Sequence, residues 1–263
     1  MTLPQHYQDG GPSVEFYDVR ETGGPGTLLK GDIEFYLAHA RETGGPILDL
    51  ACGTGRVAFP LARAGFDVTG VDRAPAMLKI ACAKLRTAPV PNLRFIRGNM
   101  ARFTLGKRFA LVVIAYRAQH LLTIEDQRSC LVHVRRHLRR KDRLVVRLFD
   151  PRLESCVPTN AEAISKRATL HDPATGRTVA VEVTERKNDP VTQTFSEIWR
   201  WTVRRNGLVV RTYADLLRLR WTYRYEMRYL FELTGFTVIA EYSDFKRSPP
   251  RYGAEQVWVV EAI

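Results

Sequence analysis

The ten residues Ile47-Leu48-Asp49-Leu50-Ala51-Cys52-Gly53-Thr54-Gly55-Arg56 constrain this chain more than any other stretch. A short apolar run leads straight into a turn with two glycines, and a helical pattern follows over Val57–Ala64. Such a turn calls for glycine where φ is positive or where backbone and ligand approach closely. The helix start behind it presents unpaired N–H groups to a polar ligand. Strand and helix patterns take turns around it. A helix is predicted over Thr27–Arg41, a strand over Ile47–Leu50, a helix over Val57–Ala64 and a strand over Asp67–Val71. Then come a helix at Pro75–Thr87, strands at Leu93–Arg97 and Phe109–Ala115, a helix at Glu125–Arg139 and a strand at Leu144–Phe149. This alternation predicts a parallel sheet flanked by helices.

After Asp150-Pro151 the period changes. Thr178–Glu185 alternates Val179, Val181 and Val183 with polar neighbours, and Phe195–Val203 puts Phe195, Trp199, Trp201 and Val203 on one face. Asn206-Gly207 is a strong hairpin signal, and Leu208–Leu219 returns from it. The segment 160–220 therefore reads as an antiparallel sheet inserted into the α/β unit. A helix at Tyr223–Thr234, stopped by Gly235, and strands at Phe236–Tyr242 and Gln256–Val260 follow. The division expected is an arm plus ligand-binding α/β core over 1–152, the insertion on the substrate side over 153–222, and the completion of the core over 223–263. Residues 1–26 read as an arm or loop.

Asp72 stands seventeen residues after Gly55, at the end of the next strand. A carboxylate there can accept from both hydroxyls of a ribose. Strand, glycine turn, helix, strand and acid together point to a nucleotide-like ligand. Gly53-Thr54-Gly55-Arg56-Val57-Ala58 also fits the dinucleotide pattern G-x-G-x-x-A, so a nicotinamide-dependent oxidoreductase competes. Asp49 argues against it, because a carboxylate at the strand end repels a pyrophosphate and suits an ammonium group.

Asp-Leu-Ala-Cys-Gly-Thr-Gly (49–55), Gly-Val-Asp (70–72), Ala-Met-Leu (76–78) and Gly-Asn-Met (98–100) resemble the class I S-adenosylmethionine-dependent methyltransferases. The inserted antiparallel sheet is similar to that of small-molecule N-methyltransferases of the sugar and glycine type. The resemblance implies a Rossmann-like, seven-stranded parallel-type sheet, S-adenosyl-L-methionine as cofactor and S-adenosyl-L-homocysteine as product. It implies that Asp49 orients the methionine amino group, directly or through water. The backbone of Ala51 and Gly53, in the turn that Gly55 completes, lies against the methionine part. Asp72 holds the ribose hydroxyls, with Arg73 beside the adenine. Asn99 faces the adenine amino group, and the Met100 backbone contacts the ring. Ala115 sits near the transferring methyl, and Tyr17 is the aromatic residue of an arm that closes over the cofactor. Asn99 stands where the family has an acid, and Ala74 where it has a capping serine.

The sulfonium is already an activated methyl donor, so the protein's part is alignment and exclusion of water. One base is useful for an amine or hydroxyl acceptor, and His120, just past the fourth strand, is the candidate catalytic residue. His133 and His137 share a helix face but lack a third ligand, so they read as a solvated basic face and no metal is expected. His6 and His171 read as loop residues and His39 as the end of a helix, none with an evident partner.

The chain of 263 residues carries 40 Lys and Arg against 28 Asp and Glu, a net charge of +12. That invites a nucleic-acid methyltransferase as an alternative. The stretch Ile114-Ala115-Tyr116-Arg117 is not the Asn/Asp-Pro-Pro-Tyr/Phe tetrad of base-amine methylation, which argues against a nucleic-acid partner. The arginines at 200–228 would border the acceptor cleft and leave room for an anionic small-molecule acceptor. A cofactor-binding relic and a homodimer through the inserted sheet also stay open. The longest apolar run, Phe109–Tyr116, is far short of the roughly 20 residues of a membrane span. Four scattered cysteines without a CxxC pair, and a start without an export pattern, fit a cytoplasmic protein.

Overall fold

The structure, a computed structural model, describes residues 5–7, 11–22, 30–115, 120–158 and 167–263. Its chain forms two compact units, Met1–Leu29 with Leu153–Leu219, and Lys30–Arg152 with Arg220–Ile263.

The second unit holds a seven-stranded sheet. Its elements are α3 (Asp32–Thr43), β1 (Ile47–Leu50), α4 (Ala58–Arg63), β2 (Val68–Asp72), α5 (Pro75–Thr87), β3 (Leu93–Arg97), β4 (Phe109–Ile114), α6 (Ile124–Arg136), β5 (Leu138–Phe149), α7 (Arg224–Leu233), β10 (Phe236–Tyr242) and β11 (Glu255–Ala262). The spatial order is β10-β11-β5-β4-β1-β2-β3. The strands from β1 to β5 pair in parallel, and β11 runs antiparallel to β5 and to β10. The expected Rossmann-like class is thus present. All four residues of β1 are buried, as are Leu111, Val112, Val113 and Ile114 of β4, because helices cover both faces of a parallel sheet. Trp258, Phe231, Phe236 and Val146 lie in the same core. Each such side chain contributes about 1.5–3 kcal/mol by leaving water. The strand order reverses between β1 and β4, and ligands of such sheets bind outside the carboxyl ends at that switch point.

The first unit holds α1 (Pro12–Glu15), α2 (Tyr17–Thr22) and the four-stranded sheet β6 (Arg167–Asp172), β7 (Arg177–Asp189), β8 (Thr194–Arg205) and β9 (Leu208–Arg220), in that spatial order. Trp201, Val203, Val179, Val181 and Leu170 face Phe16, with Trp199, Val19 and Tyr213 packed beside them. The aromatic face is therefore the inner side of this unit. Asn206-Gly207 forms the two-residue turn of the β8–β9 hairpin.

Several boundaries differ from expectation. The arm is helical at 12–22 because Val14 and Phe16 have an apolar face to cover, and it belongs with the insertion rather than the core. The first core helix begins at Asp32, and residues 27–29 of the predicted one lie outside the described residues. β5 begins at Leu138, where Arg-Arg-Lys-Asp-Arg hides the strand signal and the pairing skips between Phe109 and Leu111. His171 sits in β6, a strand the sequence reading missed. No helix among the described residues is long and apolar enough to cross a membrane.

Candidate functional site

Between β1 and α4 the chain bends hard. Ala51 takes φ 57°, Gly53 56° and Gly55 86°. A non-glycine residue in this left-handed region costs about 1–2 kcal/mol, and such strain gathers at functional turns. Gly53 holds its place by donating its N–H to Asp72 Oδ2 at 2.8 Å. Asp72 Oδ1 accepts from the Ala74 N–H at 2.8 Å, taking over the start of α5, where Ala74 offers no side-chain cap. One carboxylate thus braces two turns at the carboxyl ends of neighbouring strands. A carboxylate has about four acceptor sites, so this bracing is compatible with a diol at the same group.

Gly55 answers to a different need than ligand approach. A Cβ on it would lie 2.8 Å from both the Phe59 and Phe95 rings, and one on Gly70 would lie 2.7 Å from Phe95. The two glycines make the notch into which the Phe95 ring fits.

Asp49 is 1% exposed, and its Oδ2 is buried without a hydrogen-bond partner. Burial pushes its pKa up to about 7; Arg56 pulls it down, and Asp72 adds to the rise. Arg56 is itself held by Asp32 at 2.6 Å in a nearly buried pair. A buried carboxyl oxygen without a donor is costly and calls for one. An ammonium or amide N–H arriving from a ligand supplies it. The folded state keeps the Asp49 proton over a range where an unfolded chain has lost it. Its stabilising contribution is complete below the ordinary value of about 3.9 and is lost as pH climbs to about 7. Asp49→Asn is expected to cancel that loss. Urea unfolding at a series of pH values should show the variant gaining on the parent between about 4 and about 7.

The other expected residues fall as follows. Ala115 directly follows β4, and its carbonyl accepts from the buried Tyr36 hydroxyl at 3.4 Å. Burial raises the pKa of Tyr36 far above the usual phenol range, so it stays a donor. Asn99 is exposed beyond β3, and its Oδ1 accepts from the Ala101 N–H at 3.0 Å, leaving a second lone pair for an amino group. Met100 packs on the core, and Arg73 is exposed beside Asp72. Burial and the neighbouring carboxylates hold the Cys52 thiol well above its usual range, which makes it packing rather than a nucleophile. His120 is half-buried between β4 and Thr123, the cap of α6, while residues 116–119 lie outside the described ones. Tyr17 belongs to the first unit, where its ring meets Tyr7 at 5.9 Å.

Sequence reasoning missed Asp32, Tyr36 and Arg56, the polar groups around Asp49. Arg56 directly follows the second glycine and was the one available signal. Three histidines also differ from expectation. His137 is not solvated: it stacks on Phe103 at 4.7 Å, and its Nε2 accepts from the Leu105 N–H at 3.0 Å. His39 is buried beside Arg143 and Glu42, and burial lowers its pKa to about 4. His6 pairs with Asp215 at 3.0 Å.

Residues 47–141 match the family model described as a methyltransferase domain. The CcbJ methyltransferase of Streptomyces caelestis is 26% identical, with a TM-score of 0.77 over 98% of each chain. CalS10, an amino pentose methyltransferase of Micromonospora echinaspora involved in calicheamicin biosynthesis, shares the fold at 22% identity, with a TM-score of 0.70 over 95% of this chain and 97% of its own. The putative methyltransferase YqeM of Bacillus subtilis is 37% identical over 84 residues, 31% of this chain and 33% of that protein. The chain spans about a third of the length of the curated relatives it matches. Residues 47–141 are thus a methyltransferase domain, and in glycine turn and strand order the chain shares the fold of S-adenosylmethionine-dependent methyltransferases.

Proposed function

We propose that the chain moves the methyl group of S-adenosylmethionine to a nitrogen or oxygen of a small-molecule acceptor. The observation that carries this reading is Asp49: a buried carboxyl with an unpartnered oxygen at the end of β1, beside a turn braced by Asp72. These residues suit a ligand with an ammonium at one end and a vicinal diol further on. The sulfonium of the cofactor, when bound, supplies the activated methyl. The chain's own residues bind, orient and keep water out. Asp49 receives the ammonium, Asp72 the diol, and the surroundings of Asn99 and Met100 the adenine. His120, past β4, takes the acceptor's proton.

A small acceptor is also what CalS10 is named for, an amino pentose, and that supports the same class here. The arginines that pointed to an anionic acceptor are largely engaged within their own units. Arg200 pairs with Glu182, Arg211 with Glu15, Arg220 with Glu226, and Arg224 with Asp150 and Glu241. These pairs offset part of this cluster's charge, which weakens the case for a negative acceptor or a polynucleotide. The proposal further includes a homodimer through the four-stranded sheet.

Titration calorimetry with S-adenosylmethionine, S-adenosylhomocysteine and NAD tests the reading. The two adenosyl ligands should bind, and binding of NAD alone would overturn it. With a labelled methyl donor and an amino sugar acceptor, His120→Ala should lower kcat by about a hundredfold and leave cofactor affinity alone. A full rate in that variant removes His120 as the base.

A further inference from the structure

We propose that Asp32, at the start of α3, is a positioning residue: by holding Arg56 it keeps the second carboxyl oxygen of Asp49 open for the ammonium end of the ligand. The inference rests on the proposed role of Asp49, and every residue in it belongs to the second unit. Two donors stand close enough to Asp49 to interact with it electrostatically, the Arg56 guanidinium and the Tyr36 hydroxyl. Neither donates to Asp49 Oδ2, which is buried without a hydrogen-bond partner. Each is committed elsewhere. Arg56 Nη2 reaches Asp32 Oδ2 at 2.6 Å, in a pair whose side chains are 9% and 2% exposed. The Tyr36 hydroxyl donates to the Ala115 carbonyl at 3.4 Å.

A buried guanidinium needs a carboxylate, because removing one partner of such a pair leaves an uncompensated charge away from water. Arg56 has two acids beside it, and Asp32 decides between them. Asp32 stands in the first turn of α3, where the helix end favours negative charge. Held there, Arg56 acts on Asp49 through its charge alone and draws the carboxyl toward its ionised form. Burial, Asp72 and Asp32 oppose that pull, and the buried Cys52 and Tyr36 share the same surroundings. Without the Asp32 charge, the guanidinium would turn to Asp49 and occupy Oδ2. An arriving ammonium would then have to displace it.

Two ligands separate the ends of the site. S-adenosylhomocysteine carries the ammonium, and methylthioadenosine carries the nucleoside without it. Calorimetry on the full chain at a series of pH values reads both. Asp32→Asn keeps the shape and removes the charge. It should raise the Kd for S-adenosylhomocysteine about tenfold and change that for methylthioadenosine less than about twofold. Arg56→Met should weaken S-adenosylhomocysteine near neutrality and regain it as pH rises, because Asp49 without its cation holds its proton longer. Carbon-13 titration of the aspartate carboxyls reads Asp49 without any ligand. Its midpoint should fall below the parent's value of about 7 in Asp32→Asn and rise above it in Arg56→Met. Loosened packing would instead move both toward the ordinary value of about 3.9.

An Asp32→Asn variant that binds S-adenosylhomocysteine as well as the parent or better, or that loses both ligands alike, overturns the proposal. If Asp32→Asn fails to fold, Arg56→Met decides. An affinity for S-adenosylhomocysteine that stays low at every pH would show that Arg56 is needed in contact rather than held off, and that result also overturns it. A parent that binds neither adenosyl ligand overturns the proposed function instead, and the carboxyl titration still decides whether Asp32 governs the pairing of Arg56 with Asp49.

Discussion

Asp72→Ala is expected to raise the Kd for S-adenosylmethionine at least tenfold, which is about 1.4 kcal/mol. Two losses combine. The variant lacks the acceptor proposed for the ribose hydroxyls. It also lacks the brace that holds the Gly53 N–H at 2.8 Å and the Ala74 N–H at 2.8 Å, so the turn and the start of α5 loosen together. Hydrogen bonds to a charged acceptor are worth about 1.5–3 kcal/mol, so stability should fall as well. Asp72→Asn separates the two effects. Its single carbonyl oxygen can take one of the two N–H groups, and its NH2 cannot replace the other acceptor. Affinity in this variant should fall between parent and alanine variant, read by calorimetry. An alanine variant with the parent's affinity would remove Asp72 from the site.

Gly55→Ala should destabilise the second unit by about 2–5 kcal/mol. The sum has two parts: about 1–2 kcal/mol for a side chain at positive φ and about 1–3 kcal/mol for forcing a methyl into a filled space. The methyl would sit 2.8 Å from the Phe59 and Phe95 rings, and the backbone there has φ 86°. Phe95→Leu in the same chain should return part of the packing loss, because the ring that fills the notch is then smaller. The φ cost stays in both. Urea unfolding of the parent, the two single variants and the double variant measures this coupling. Equal losses in Gly55→Ala with and without Phe95→Leu would show that the ring is not what the glycine accommodates.

The core and the glycine turn with its Asp72 brace were legible in the sequence because their signals are local. Ile47–Leu50, the glycine turn and Asp72 follow one another within a single strand–helix–strand unit. Apolar β4 announces itself by lacking any polar residue. The rest depended on partners far apart in the chain. His6 and Asp215 are 209 residues apart, and nothing near His6 marks its acceptor. Asp32 falls inside the helix predicted over Thr27–Arg41 with nothing to mark it, yet it holds Arg56 of the glycine turn. The glycines of the turn were read as space for a ligand, and only the placement of Phe95 reveals that Gly55, together with Gly70, makes space for a ring. The arm looked like a loop because its apolar residues are few and its second layer, the four-stranded sheet, lies more than a hundred residues downstream.

That last arrangement has a consequence for how the chain is made. Phe16 and Val19 emerge from the ribosome early, whereas β9, which completes the sheet they cover, ends only at Arg220. At roughly 5–20 residues per second, the arm waits on the order of 10–40 s for its partner. During that time the strands from β1 to β5 are synthesised. The second unit is also left open meanwhile, because β10 and β11, the latter pairing with β5, follow β9 in the chain. A chain halted before β6 would carry Phe16 without the apolar face that it packs on, as an exposed tail open to a chaperone.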